Sequence, residues 1–139
     1  MIKDFPPNIA KIRLAFPLMK GYLFAYGNEI YNPDDMPVDP AQIAHEAVHS
    51  VQQGDNPEAW WDRYLFDPVF RCSQEVLAYQ KQYQFAKKIT KDRERLNKYL
   101  HALARDLSGE MYGSILTHSE AIQAIKSKKI VLFNTHDVI

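Results

Sequence analysis

The sequence predicts an α+β fold, mostly helical, with a small antiparallel sheet near its N-terminus. Three observations carry this. Asp39-Pro40 and Asp67-Pro68 each place an N-cap residue before a proline at a first helical position. Short β-branched and aromatic runs broken by Pro and Gly lie ahead of the first of these pairs. Leu96, Leu100, Leu103 and Leu107 fall on one apolar helical stripe.

Taken in order, Ile9, Ile12, Leu14 and Phe16, bounded by Pro7 and Pro17, suggest a first strand. Tyr22 to Tyr26 reads as a second strand. Glu29-Ile30-Tyr31 is a third, or its continuation across Gly27-Asn28. Asn32 to Pro37 is a loop. A helix of about four turns then starts with Asp39 as N-cap and Gln42 completing a capping box. Its apolar positions, Ile43, Ala44, Ala47, Val48 and Val51, are expected to face the core, and Gly54 suits a left-handed C-terminal residue. Further helices are expected over Glu58–Phe66, Pro68–Lys88 and Lys91–Leu107. Thr117-His118-Ser119-Glu120 is a capping box opening one more, to about Lys128, and Ile130 to Phe133 reads as a terminal strand.

The 139 residues, 46% apolar, suit one domain over 1–139 built on one core. Seventeen basic residues balance seventeen acidic ones, so no nucleic-acid partner is indicated. Lys87, Lys88, Lys91, Arg93 and Arg95 are interleaved with Asp92 and Glu94 as a solvated helix face. No apolar run reaches membrane-spanning length and the first residues are not a signal peptide, so no membrane partner and a cytoplasmic location are expected. Cys72 is the only cysteine; it reads as a small buried apolar residue and forbids an internal disulfide. Nothing in the sequence fixes an oligomeric state.

The chemistry lies in the four-turn helix. His45-Glu46-Ala47-Val48-His49 matches the HExxH pattern of zinc hydrolases. Four helical residues give a rise of about 6 Å and a net rotation of about 40°, so both imidazoles leave one face and can share one ion. Glu46, about 100° round from His45, stands beside that ion without ligating it. From the His and Glu content, random placement gives on the order of 0.01 such matches in this chain.

Two histidines do not complete a site; a hydrolytic zinc centre takes three protein ligands and leaves one position open. The candidates for the third are Asp55, Glu75, His101 and His118. Asp55 sits six residues after His49, where some zinc peptidases place a ligand after a glycine turn, but Gln52 occupies the glycine position. Glu75 lies two turns into the helix opened by Asp67-Pro68, and Ala78 on its face permits close approach of the HExxH helix. Tyr79 shares that face. Glu75 is therefore preferred. His118 reads as a first-turn helix residue, and His101 and His136 carry no distinguishing context.

His45-Glu46-x-x-His49 with Glu75-x-x-Ala78-Tyr79 resembles the gluzincin group of zinc metallopeptidases. The spacing from His49 to Glu75 is longer than in its thermolysin-like members. Residues 24–33, 45–54, 60–79, Asp106-Leu107-Ser108 and Tyr112-Gly113 also resemble small HExxH proteins of tailed phages. The resemblance implies a minimal zincin-like domain acting on protein or peptide substrates, phage-encoded and working in the host cell or virion. Its metal is Zn²⁺ on His45, His49 and Glu75, with Glu46 as general base. Tyr79 and Tyr112 are the candidates to donate to the oxyanion. The Leu23–Tyr31 segment is either an exposed edge that pairs with substrate or plain core strand. Two rival readings use the same centre: a non-catalytic zinc-binding structural or interaction protein such as a phage particle component, and an amidase of peptidoglycan cross-links.

Overall fold

The computed structural model describes residues 1–17 and 20–127. Among these, six α-helices and one two-stranded antiparallel sheet give a mostly helical α+β fold. The helices are α1 (Ile9–Ala15), α2 (Pro40–Gln53), α3 (Pro57–Phe66), α4 (Pro68–Ile89), α5 (Arg93–Leu107) and α6 (His118–Lys126), with a 3₁₀ turn at Glu110–Tyr112. The strands are β1 (Phe24–Tyr26) and β2 (Glu29–Tyr31), registered Phe24 to Tyr31, Ala25 to Ile30 and Tyr26 to Glu29. Ile130–Phe133 and His136 lie outside the described residues. No helix among the described residues is long and apolar enough to cross a membrane.

Five of the described helices begin on side-chain caps; those at Asp39, Asp67 and Thr117 are the ones read from the sequence, and Asp92 caps α5. Asp39 and Thr117 form full capping boxes with Gln42 and Glu120, and Asn56 and Asp67 cap helices that start with proline. Each such cap stabilises its helix by about 1 kcal/mol. The hairpin turns at Gly27-Asn28 with a positive φ at Gly27 alone, the pattern of a type II′ turn.

Two expectations are overturned. The segment Ile9–Ala15 is helix, not strand, and Phe16 is its C-cap. Ile9, Ile12 and Phe16 recur at helical spacing and pack on α3 and β1, whereas Leu14 is 85% exposed and made the pattern resemble alternation. The second correction concerns α2. Its buried residues are Ala41, His45, His49 and Gln53, while Ile43, Ala47 and Val51 face outward, Val51 being 81% exposed. The polar face of this helix is the inner one. Gly54 closes it with φ 59° and ψ −131°, a positive φ that glycine takes freely, but not the left-handed helical conformation expected.

Two apolar clusters flank α4. One joins Cys72, Val76 and Tyr79 of α4 to Leu100, Leu103 and Leu107 of α5 and Ala121 and Ile125 of α6. Burying each of these leucines contributes roughly 2 kcal/mol. The other joins Ile12 and Phe24 to Trp60, Trp61, Tyr64 and Leu65 of α3, with Phe70. Tyr112 packs against both. Arg71 fixes its position: the buried guanidinium donates from Nε to the Met111 carbonyl (2.7 Å) and from Nη1 to the carbonyls of Tyr64 and Leu65 at the end of α3. Gly113 lets the 3₁₀ turn close onto α4. Its φ is +82°, and a Cβ there would lie 2.9 Å from Pro68 Cβ.

Candidate metal centre

α2 packs most extensively on α4, and Ala78, one turn on from Glu75 in α4, is fully buried. This packing brings Glu75 to the HExxH histidines. Glu75 Oε1 lies 3.0 Å from His45 Nε2, and Glu75 Oε2 lies 3.2 Å from His49 Nε2. The ligand atoms of His45, His49 and Glu75 all fall within 4.8 Å of one another, and all three residues are buried. Two ligands on one tetrahedral zinc are separated by roughly 3.3 Å, so the spacing suits a shared ion.

Whether a metal fits is decided by the polar atoms left over. His49 Nε2 and Glu75 Oε1 are buried and have no hydrogen-bond partner of acceptable geometry. Buried polar groups are rarely left so, because each costs about 1–3 kcal/mol. The donor set, two imidazole nitrogens and a carboxylate, is one that a borderline divalent ion takes. These residues form a group able to hold a metal ion.

The opposite ring nitrogens are fixed by glutamines. His45 Nδ1 meets Gln82 Oε1 at 2.8 Å, and His49 Nδ1 meets Gln52 Oε1 at 2.8 Å. Gln52 Nε2 donates to the Gln74 carbonyl (3.0 Å), which only accepts, so the Gln52 oxygen must face the imidazole. Gln82 Nε2 likewise donates to the Tyr99 hydroxyl at 2.7 Å. Each histidine therefore carries a proton on Nδ1 and turns Nε2 to the centre. Replacing Gln82 by leucine should lower zinc affinity by roughly 10–100-fold with the helical spectrum retained. A chelator competition assay measures this, and an unchanged affinity would refute the positioning role.

Burial disfavours the charged form of His49, but the Glu75 carboxylate outweighs it and lifts its pKa from 6.5 to about 9. Burial also pushes Glu75 upward, yet the two imidazoles hold its carboxyl far below the usual range. In the metal-free protein His49 is thus an imidazolium paired with Glu75. Because the folded value is raised, that pairing stabilises the metal-free fold fully below about pH 6.5 and is lost as pH rises through about 9. Metal must displace the same proton. Zinc affinity should therefore climb up to about tenfold per pH unit toward pH 9 and then level off. A flat profile from chelator competition between about pH 7 and 9 would contradict this coupling.

Glu46 stands beside the centre, with Oε2 3.7 Å from His45 Nε2. Burial raises its pKa, opposed by His45 and His49 and slightly by the Ala25 N–H. Tyr79 stacks edge-on against His45 with ring centroids 4.7 Å apart, and its hydroxyl lies 3.5 Å from that of Tyr112. Burial and the Glu75 charge raise the pKa of both tyrosines, so both hydroxyls keep their protons. The three metal candidates and all three catalytic candidates of the sequence thus line one cavity of about 480 Å³.

Asp55 lies exposed beyond Gly54, and α2 runs unbroken through Gln52. His101 and His118 meet each other at the α5–α6 junction, outside the triad. The sequence reading missed Gln52, Gln82 and Tyr64, whose hydroxyl donates to Glu75 Oε2. The signal was present only as spacing: Gln52 follows His49 by three residues, and Gln82 follows Glu75 by two helical turns.

The expected substrate edge is also partly taken. The Ala25 carbonyl accepts from Gln53 Nε2 (2.8 Å) and Trp61 Nε1 (3.0 Å), so this part of β1 serves as core strand. Comparison with protein-family models, curated proteins and solved structures gave no significant match to this chain.

Proposed function

We propose that this protein is a zinc-dependent hydrolase that cleaves peptide bonds, a minimal zincin-like metallopeptidase of gluzincin type acting on a protein or peptide substrate. One observation carries the reading: a buried His45–His49–Glu75 group with orphaned ligand atoms, beside the half-buried Glu46 carboxylate, at the wall of an open cavity. A purely structural metal site needs neither the carboxylate nor the cavity, and is usually closed by a fourth protein ligand.

A zinc ion on these three residues supplies Lewis-acid activation of a water and of the scissile carbonyl. The protein supplies the rest. Glu46 holds the attacking water by its carboxylate and takes its proton; burial has moved its pKa toward the range where proton exchange near neutrality is efficient. The same proton passes from Glu46 to the leaving amine as the C–N bond breaks. Tyr64 is engaged by Glu75, which leaves the hydroxyls of Tyr79 and Tyr112 to donate to the oxyanion. An extended substrate pairs with the chain at Leu23, which leads into β1 and borders the cavity.

The test combines metal content with turnover. About one zinc per chain in the triad, with casein or peptide-library cleavage that chelation abolishes and zinc restores, supports the proposal. Stoichiometric zinc without any turnover rejects it.

A further inference from the structure

A second pair of imidazoles meets at the junction of α5 and α6, outside the triad. His101 from the middle of α5 and His118, the first residue of α6, bring Nδ1 and Nε2 to 3.1 Å, with ring centroids 5.2 Å apart and planes tilted by 31°. His118 is exposed and His101 half-buried, so the junction is open to solvent. Two imidazole nitrogens on one ion at about 2.05 Å, subtending 90–110°, stand roughly 2.9–3.4 Å apart. The observed separation falls inside that window without any movement of either helix.

We infer that His101 and His118 form a peripheral metal site for a borderline divalent ion of the Zn²⁺, Ni²⁺ or Cu²⁺ class, with water filling the other positions. Imidazole donors select this class over Mg²⁺ or Ca²⁺. The inference does not depend on the proposed hydrolase activity. In the metal-free protein the two nitrogens share one proton as a hydrogen bond; when the ion binds, that proton moves to the other nitrogen of its ring and the ion takes both lone pairs. Lys98 and Arg105 lie one turn to either side of His101 on α5, so this site is weaker than the three-ligand centre.

Occupancy has a structural consequence. The chain between the two histidines runs through the 3₁₀ turn that carries Tyr112. An ion bridging α5 and α6 ties down both ends of this segment, one residue of which is a proposed oxyanion donor.

The experiment uses Zn²⁺ alone, by equilibrium dialysis on the full chain at free metal well above that needed to fill the buried triad. Wild type is expected to bind two ions per chain. His118→Ala should bind one fewer, and the thermal midpoint should lose a Zn²⁺-induced rise of a few degrees. Amide exchange over residues 109–116 should slow with the second ion in wild type only. His118 is exposed and the helix is capped by Thr117 and Glu120, so the variant retains α6; His101→Asn tests the same site from the other helix. Glu75→Ala should lose the other ion and keep this one, which separates the two sites. If His118→Ala and His101→Asn both bind zinc to the wild-type stoichiometry, the pair is a hydrogen bond only and the inference fails.

Discussion

Glu75→Ala is expected to empty the buried centre while leaving the chain helical. A directly ligating carboxylate contributes more than its outer partners, so the loss of zinc affinity should exceed the roughly 10–100-fold expected for Gln82→Leu. A second effect follows in the metal-free protein. Glu75 is 3% exposed and is the counter-charge that keeps His49 protonated. Removing one member of a buried ion pair typically costs about 3–5 kcal/mol, because the other is left charged or must deprotonate. The midpoint of metal-free unfolding should fall accordingly, and most steeply below pH 7, where the imidazolium would otherwise persist. Asp55→Ala, His101→Ala and His118→Ala should each leave zinc binding at the triad unchanged. Loss of that binding in Asp55→Ala, with Glu75→Ala unaffected, would overturn the assignment.

Glu46→Gln is expected to separate the proposed catalysis from metal binding. The amide has the shape of the carboxylate but cannot accept the water's proton. Turnover should fall by roughly 10²–10⁴-fold, the contribution of a positioned general base. Zinc content and thermal midpoint should stay near wild type, since Glu46 is a neighbour of the triad and not one of its ligand atoms. Zinc loss accompanied by surviving turnover would exchange the roles of Glu46 and Glu75.

The triad was legible in the sequence because two constraints coincided there. The HExxH spacing fixes two ligands on one helical face, and Asp67-Pro68 sets the phase of α4 so that Glu75 and Ala78 share a side. The capping boxes of α2 and α6 were legible for the same reason: each is a local hydrogen-bond pattern that tertiary packing did not need to alter. The orientation of α2 was not. Apolar patterning assigns Ile43, Ala47 and Val51 inward, yet the helix buries His45, His49 and Gln53 because the centre and the hairpin clamp require polar groups there. Gln53 accepts from the Gly27 N–H and donates to the Ala25 carbonyl, which ties β1 to the end of α2. Segment α1 failed for another reason. It has one fully buried side chain, Ile12, so its pattern is too short for period 2 and period 3.6 to be told apart. Gln52 and Gln82 were hidden because an isolated glutamine on a helix is most often a surface residue.

The length of α4 sets how this protein can change by insertion and deletion. Within its first four turns it supplies the Phe70 and Arg71 anchors, the Gln74 carbonyl, Glu75, Tyr79 and Gln82. All are indexed to one another by a rotation of about 100° per residue. One residue added between Glu75 and Gln82 would swing the ligand and the partner of His45 apart by more than a quarter turn, a fault that no loop adjustment repairs. Asn32 pairs through its side chain with both backbone groups of Met36, and Asp39 caps α2, but the short Pro37-Val38 connection between them has no such indexing, because the clamp from Gln53 to β1 holds the hairpin from the far end of the helix. Length variants in that connection should therefore be tolerated, while those inside α4 should not: the reading frame of the centre is kept by one continuous helix.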